Sequence, residues 1–375
     1  MEFRKGSVES VDMNSEFWRT KKVFLTGHTG FKGSWLSLWL QHLGAEVIGY
    51  SLPPPTQPNL YDLASVEKGM KSIRGDVLDL EHLCRSVREH RPEVVFHLAA
   101  QSLVRRSYED PTGTYATNVL GTAHILDAVR AAPSVKSIVI VTSDKCYDNC
   151  GDQRAYRESD RLGGADPYSS SKAAAEIVTS AFRKSFFISA KGETGTGVAS
   201  ARAGNVIGGG DWAADRLIPD VMRAVLEGKD LLIRHPQAIR PWQHVLEPVS
   251  GYMTLAENLW QDPERFSESW NFGPNESETL SVSRLLECLR KLWGPGLSWQ
   301  FDNGTYPHEA QYLSLDCTKS KVKLGWEPRW NLNSALEATV QWYKAHQSHE
   351  DVRLLTQEQI RSYQGMLSLS QLTRP

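Results

Sequence analysis

Lys21-Lys22-Val23-Phe24-Leu25-Thr26-Gly27-His28-Thr29-Gly30-Phe31-Lys32-Gly33 is the stretch whose reading decides the fold. A short apolar run leads into three glycines in G-x-x-G-x-x-G spacing, and a helical pattern starts near Ser34. A strand that turns through glycines into a helix gathers free backbone N–H groups at one point, where a pyrophosphate can sit. Gly27, Gly30 and Gly33 allow the tight turn and the close approach, while Thr29, Phe31 and Lys32 complete the candidate cofactor contacts of the turn. An unliganded βα turn would have the same spacing, so the motif takes its meaning from its surroundings.

Outward from this turn, apolar runs alternate with longer amphipathic ones. Trp35, Leu36, Leu38, Trp39, Leu40 and Leu43 fit a helix, Glu46 to Tyr50 a second strand, and 94–98 and 137–142 further strands. Helical patterns fall near 80–90 and 115–131. Continuous apolar strands separated by helices predict a parallel sheet covered on both faces. Right-handed crossovers then make the fold α/β, a Rossmann-type doubly wound sheet. Beyond about Ala203, Gly208-Gly209-Gly210, Pro219, Pro236 and Pro241 punctuate shorter elements. That change predicts a smaller C-terminal substrate-binding lobe. The expected organisation is a weakly ordered lead-in over 1–20, a dinucleotide-binding domain over 21–202, a lobe over 203–346 with the chain crossing between lobes, and a surface helix or loose tail over 347–375.

The chain has 375 residues, 40% of them hydrophobic and 23% charged, as in ordinary globular proteins. Its formal net charge of −2 advertises neither nucleic acid nor an anionic membrane as partner. Met1 to Trp18 lacks the apolar core of a signal peptide, and no apolar run approaches the roughly 20 residues that span a bilayer. The five cysteines are scattered, with no second Cys or His pair to complete a metal cage near Cys146 and Cys150. A cytoplasmic chain with no metal is expected.

At the end of the second strand Ser51 stands where an NAD site usually carries an acidic residue for the ribose. No arginine follows in that loop to accept a 2′-phosphate, so NAD remains the expected cofactor. Asp76 and Val77 follow the third strand, and Asp76 could meet adenine or cap the next helix, as Asp79 also could. Leu98, Ala99, Ala100 and Gln101 end the fourth strand with small residues that admit a flat cofactor.

Tyr168 and Lys172 are four apart, hence on one helix face, where an ammonium favours the phenolate of a proton-accepting tyrosine. Ser143 caps the strand upstream and could share the substrate's proton. Glycine turn, strand-end hydroxyl and Y-x-x-x-K, in this order, point to a nicotinamide-dependent active site.

With these motifs the chain resembles the extended short-chain dehydrogenases/reductases that act on nucleotide sugars, and among them the 4,6-dehydratases. The resemblance is carried by 27–35, by Thr142-Ser143-Asp144-Lys145-Cys146-Tyr147-Asp148-Asn149, by 202–212 and by 239–245. It implies an NAD-dependent, redox-neutral elimination that turns CDP-glucose into a 4-keto-6-deoxy sugar. Tyr168 would take the 4-hydroxyl proton, Asp144 would protonate the 6-hydroxyl, and Lys145 would either take the C5 proton or polarise the ketone. On the substrate side the resemblance assigns Asn205, Arg202, Arg216, Arg240, His244, Tyr306 and Gln101. It also implies a homodimer. Spacing alone leaves open a dTDP-, GDP- or UDP-sugar dehydratase, a 4-epimerase, or a non-catalytic NAD sensor.

Overall fold

The computed structural model describes residues 15–149, 151, 154–187, 195–275, 278–302, 304 and 312–365. Seven strands form the central sheet: β1 Lys22–Thr26, β2 Glu46–Ser51, β3 Lys71–Arg74, β4 Val94–His97, β5 Ser137–Val141, β6 Gly197–Ala203 and β11 Ser269–Phe272. Their order is β11-β6-β5-β4-β1-β2-β3, and every pairing is parallel. The order reverses between β4 and β1, which opens a crevice at the strands' C-terminal ends.

Alternation along the strands builds two cores. Val23, Leu25, Val47, Val94, Phe96 and Val139 face one side. Phe24, Ile48, Val95, Ile138 and Ile140 face the other, under the helices Leu80–His90 and Gly121–Arg130. The helix Phe31–His42 is buried nearly all round, because the C-terminal half covers the side away from the sheet. Trp35 Nε1 donates to the Gly209 carbonyl at 3.1 Å, and Trp39 meets the ring of Tyr363 edge-on.

The smaller lobe is made of short pairs: β7 Val206–Ile207 with β10 Gln243–His244, β8 Leu231–Ile233 with β13 Trp299–Phe301, and β9 Ile239–Pro241 with β12 Thr279–Ser281. From these pairs the chain goes back to the seven-stranded sheet. After the helix Leu246–Gln261 it returns to the sheet as β11, with Asn271 opposite Arg202. Among the described residues no helix is long and apolar enough to cross a membrane.

Both ends of the described chain are more structured than their polarity suggests. Ser15–Trp18 is a helical turn, with Trp18 fully buried and donating to Glu257. The loose lead-in expected over 1–20 therefore does not extend to Trp18, whose indole has found a core. The helix Val352–Tyr363 buries Val352, Leu355, Ile360 and Tyr363. Its anchor is Glu247, which accepts hydrogen bonds from Tyr363 Oη at 2.6 Å and from the Arg329 and Trp330 amides. Burial pushes the Glu247 carboxyl up to about 7, against the opposing pull of these donors. A carboxyl raised in the folded state contributes stability that is full at acid pH and is lost as pH rises through about 7. Tyr363→Phe is expected to cost roughly 1–2 kcal/mol, read as a lower urea midpoint. Glu247→Gln should flatten the decline in stability between about pH 5 and pH 8.

Candidate active site

The crevice continues into a cleft of about 810 Å³ between sheet and lobe. Its floor is the glycine turn. Gly27 has φ 78°, and a Cβ there would lie 2.7 Å from the Ala99 nitrogen, so only glycine allows β1 and the loop after β4 to approach this closely. Gly30 begins the next helix with no side-chain cap, which leaves that helix's first N–H groups to the cleft. Thr29 Oγ1 donates to the Leu52 carbonyl at 2.9 Å and also meets Ser51 Oγ, which fixes the end of β2. Asp76 and Val77 line the cleft, but the cap of the helix after them is Asp79. Leu98, Ala99, Ala100 and Gln101 line it too. The Gln101 amide is engaged by Leu103 O and Thr114, and Asn118 ties its carbonyl to Ser171. Arg74, from β3, reaches the Leu52 carbonyl at 3.5 Å, a neighbour of Ser51 that no local reading of the second loop could show.

The reacting groups gather where β5 ends. Ser143 caps the turn Asp144–Cys146, receiving the Lys145 amide at 3.2 Å and donating to Asp144 Oδ1 at 3.0 Å. Tyr168 and Lys172 project to the same place from the helix Pro167–Phe182, with Lys172 Nζ on the Val141 carbonyl at 3.3 Å. Ser143, Asp144, Lys145, Tyr168 and Lys172 all line the cleft. Burial lifts the Tyr168 phenol to about 12, against the pull of the Ser143 hydroxyl. Burial also brings the Lys172 amine down to about 8, opposed by Glu176. Lys172 Nζ thus donates to the Val141 carbonyl, and desolvation is the largest influence on the phenol. Asp144 is buried, and burial raises its carboxyl against Lys145, Ser143, Arg240 and Lys32.

Lys32 lines the cleft. Its Nζ lies 3.4 Å from Tyr252 Oη, inside, near enough to Asp144 and Lys172 to feel both. Burial, aided by the Arg216 cation, brings its amine down to about 7. Tyr252 has no motif to announce it, because it comes from the helix Leu246–Gln261 far along the chain.

The candidate substrate residues divide. Asn205, Arg216 and Arg240 line the cleft. Arg216 holds Asp211 and Ser102, both at 2.9 Å. Arg202 does not line it: its guanidinium is buried on Glu176 at 2.8 Å and on Tyr147 Oη at 2.8 Å. His244 does not line it either. The imidazole is packed against Trp35 and Trp330, and burial brings it down to about 3, so it is a core histidine. Tyr306 lies outside the described residues. A further glycine was not anticipated as part of the site: a Cβ on Gly204 would stand 2.7 Å from Asp144 Oδ2. Among the described residues no His, Cys, Asp and Glu cluster could hold a metal ion.

Fold and site together define an extended short-chain dehydrogenase/reductase. The chain belongs to the GDP-mannose 4,6-dehydratase family, whose model matches residues 24–339. It is 51% identical over 354 residues to the CDP-glucose 4,6-dehydratase of Salmonella typhimurium strain LT2, covering 94% of this chain and 98% of that protein. It is 28% identical over 344 residues to the dTDP-glucose 4,6-dehydratase of Xanthomonas campestris pv. campestris strain ATCC 33913, covering 86% and 93%. The crystal structure of dTDP-glucose 4,6-dehydratase from Bacillus anthracis str. Ames in complex with NAD superposes with a TM-score of 0.71 at 25% identity, over 89% of this chain and 99% of that one.

Because Gly204 leaves the room that Asp144 Oδ2 occupies, Gly204→Ala must turn that carboxylate. Turnover is expected to fall at least about tenfold, a barrier increase near 1.4 kcal/mol, with the circular dichroism unchanged.

Proposed function

We propose that this chain converts CDP-D-glucose into CDP-4-keto-6-deoxy-D-glucose and water, with NAD as its resident cofactor. One observation carries the reading. A buried carboxyl, Asp144, sits on the same short turn as the strand-end serine and Lys145, facing Tyr168. An epimerase needs the tyrosine, the lysine and the hydroxyl but no acid for a leaving group. A dehydratase needs that acid, and burial that favours a protonated Asp144 supplies it.

The residues present fit NAD. The uncapped helix start at Gly30 offers N–H donors for a pyrophosphate, and the close approach at Gly27 keeps the floor flat. Gly33, Ser51, Asp76, Val77, Leu98, Ala99 and Ala100 would line the cofactor's path, as would Thr29, Phe31 and Lys32. When bound, NAD supplies the hydride acceptor for sugar C4 and the hydride donor for C6. The chain handles the protons. As the phenolate, which the Ser143 hydroxyl favours against burial, Tyr168 would accept the proton of the 4-hydroxyl. Lys172 stays behind them, fixed on the Val141 carbonyl. Once C4 is a ketone the C5 proton is acidic, and Lys145 is assigned to it. Asp144 gives its proton to the 6-hydroxyl, which leaves as water, and Lys145 would return a proton to C5 when C6 is reduced. Asn205, Arg216 and Arg240 would hold the diphosphate, where guanidinium forks match phosphate oxygens.

The 51% identical relative supports the cytidine nucleotide, and relatives named for dTDP-glucose keep that nucleotide as the second reading. Incubation with CDP-glucose should produce a 4-ketosugar chromophore in alkali, at a rate well above that with dTDP-glucose. An isomer without keto product would overturn dehydration. Lys145→Ala should still oxidise C4, yet fail to exchange the C5 hydrogen with solvent deuterium.

A homodimer in the cytoplasm belongs to the same reading. Tyr115, Leu120, Ile177 and Phe186 are exposed large apolar side chains on neighbouring helical segments. Tyr115 Oη and Ser170 Oγ, 2.6 Å apart, join two of these segments into one face. A second copy could cover it. Ile177→Glu is expected to give a monomer by analytical ultracentrifugation. A dimer that persists at micromolar concentration would remove this face as the interface.

A further inference from the structure

The walls of the cleft mouth are joined by a shared charge. Arg105, on the helix Val104–Glu109, puts Nη1 3.2 Å from Asp215 Oδ1. Arg234, just after β8, puts Nη2 2.9 Å from the same oxygen. One carboxylate oxygen thus serves two guanidiniums, one from the Rossmann side and one from the lobe. Arg216, the next residue, repeats the crossing by donating to Ser102 Oγ at 2.9 Å. Arg105, Asp215, Arg216 and Arg234 all line the cleft, and the three side chains of the triad are about one-third exposed. Asp215 itself adopts φ 60°, a left-handed conformation in which only glycine, asparagine and aspartate are at ease. The backbone is bent to bring this carboxylate to the two arginines.

Two guanidiniums converging on one oxyanion is the geometry that receives phosphate groups. A single carboxylate brings one negative charge to two cations. A nucleoside diphosphate brings more charge and more acceptor oxygens to the same place. We propose that the Asp215 carboxylate stands in for the diphosphate of the substrate: it holds Arg105 and Arg234 across the cleft mouth and yields them to the incoming phosphates. The inference rests on the nucleotide-sugar reading above and adds the group that the substrate must displace. Entry then requires that two ion pairs break, and a neutral sugar or a free base gains nothing by breaking them. Asp215 is accordingly a specificity-determining residue for the diphosphate.

The sign of one substitution decides the matter. Asp215→Asn keeps the shape and tolerates the left-handed backbone, but removes the competing charge. CDP binding, followed through the fluorescence of Trp212 and Trp242 in the cleft, is expected to tighten about fivefold at low salt, as befits partly exposed ion pairs. The gain should shrink as salt screens the cleft. Arg105→Gln and Arg234→Gln should each weaken CDP binding. A merely structural Asp215 predicts the reverse for its own variant, since neutralising it would loosen both walls. Asp215→Asn binding CDP no tighter than the parent overturns the proposal, as do two arginine variants with unchanged affinity. A parent chain that binds no CDP at all would bring down the nucleotide-sugar reading, and the stand-in with it. A parent that binds CDP, with no gain in the variant, brings down the stand-in alone.

Discussion

The cost of taking charge out of water governs the centre of this protein. At the ends of β1 and β5, Lys32, Asp144, Tyr168 and Lys172 are enclosed together, and burial is the largest influence on each. It pushes all four towards their neutral forms: the two amines fall, the carboxyl rises and the phenol rises. The two amines are thereby brought closer to neutral pH than solvated lysines and the carboxyl is favoured as an acid, which suits them to proton transfer, whereas the phenol is favoured in its protonated form. The cleft, the helix start and the covering lobe all serve to maintain that enclosure.

One buried ion pair behind this cluster keeps its charges. Glu176, one turn beyond Lys172 on the same helix, would be raised by burial alone. Arg202 reverses that and holds the carboxyl below its ordinary range. The pair collects Thr142, Ser200 and Ser269 as donors, from just past β5, from within β6 and from the start of β11. A buried ion pair of this kind adds little net stability, but removal of one partner would strand the other. Its place behind Lys172 makes it the rigid backing of the reacting helix.

Much of this was readable from residue order alone, for definite reasons. Continuous apolar strands, the glycine turn and the Tyr168–Lys172 spacing are local patterns, and local patterns are what a sequence displays. The resemblance carried by 142–149 and 202–212 likewise led to the family. What escaped was non-local. His244 and Arg202 stand in polar, motif-rich segments, yet packing against Trp35 and Trp330, or pairing with Glu176, took them out of the cleft. The Asp215 triad enters the cleft from distant segments, Tyr252 and Arg74 touch its lining residues from others, and no spacing rule announces them. The phenol's rise was missed because pairing at helical spacing shows a neighbouring cation but not the loss of water around both.

The position of β11 has a consequence for how the chain is made. Its partner β6 ends at Ala203, but the edge strand begins only at Ser269, after the whole run that builds the cleft's far wall. During synthesis β6 must wait with an open edge, and the intervening segment folds as an excursion from an unfinished sheet. The central sheet is therefore complete only with a strand that follows that run in the sequence. That edge is closed only by a pairing between segments more than sixty residues apart in the chain.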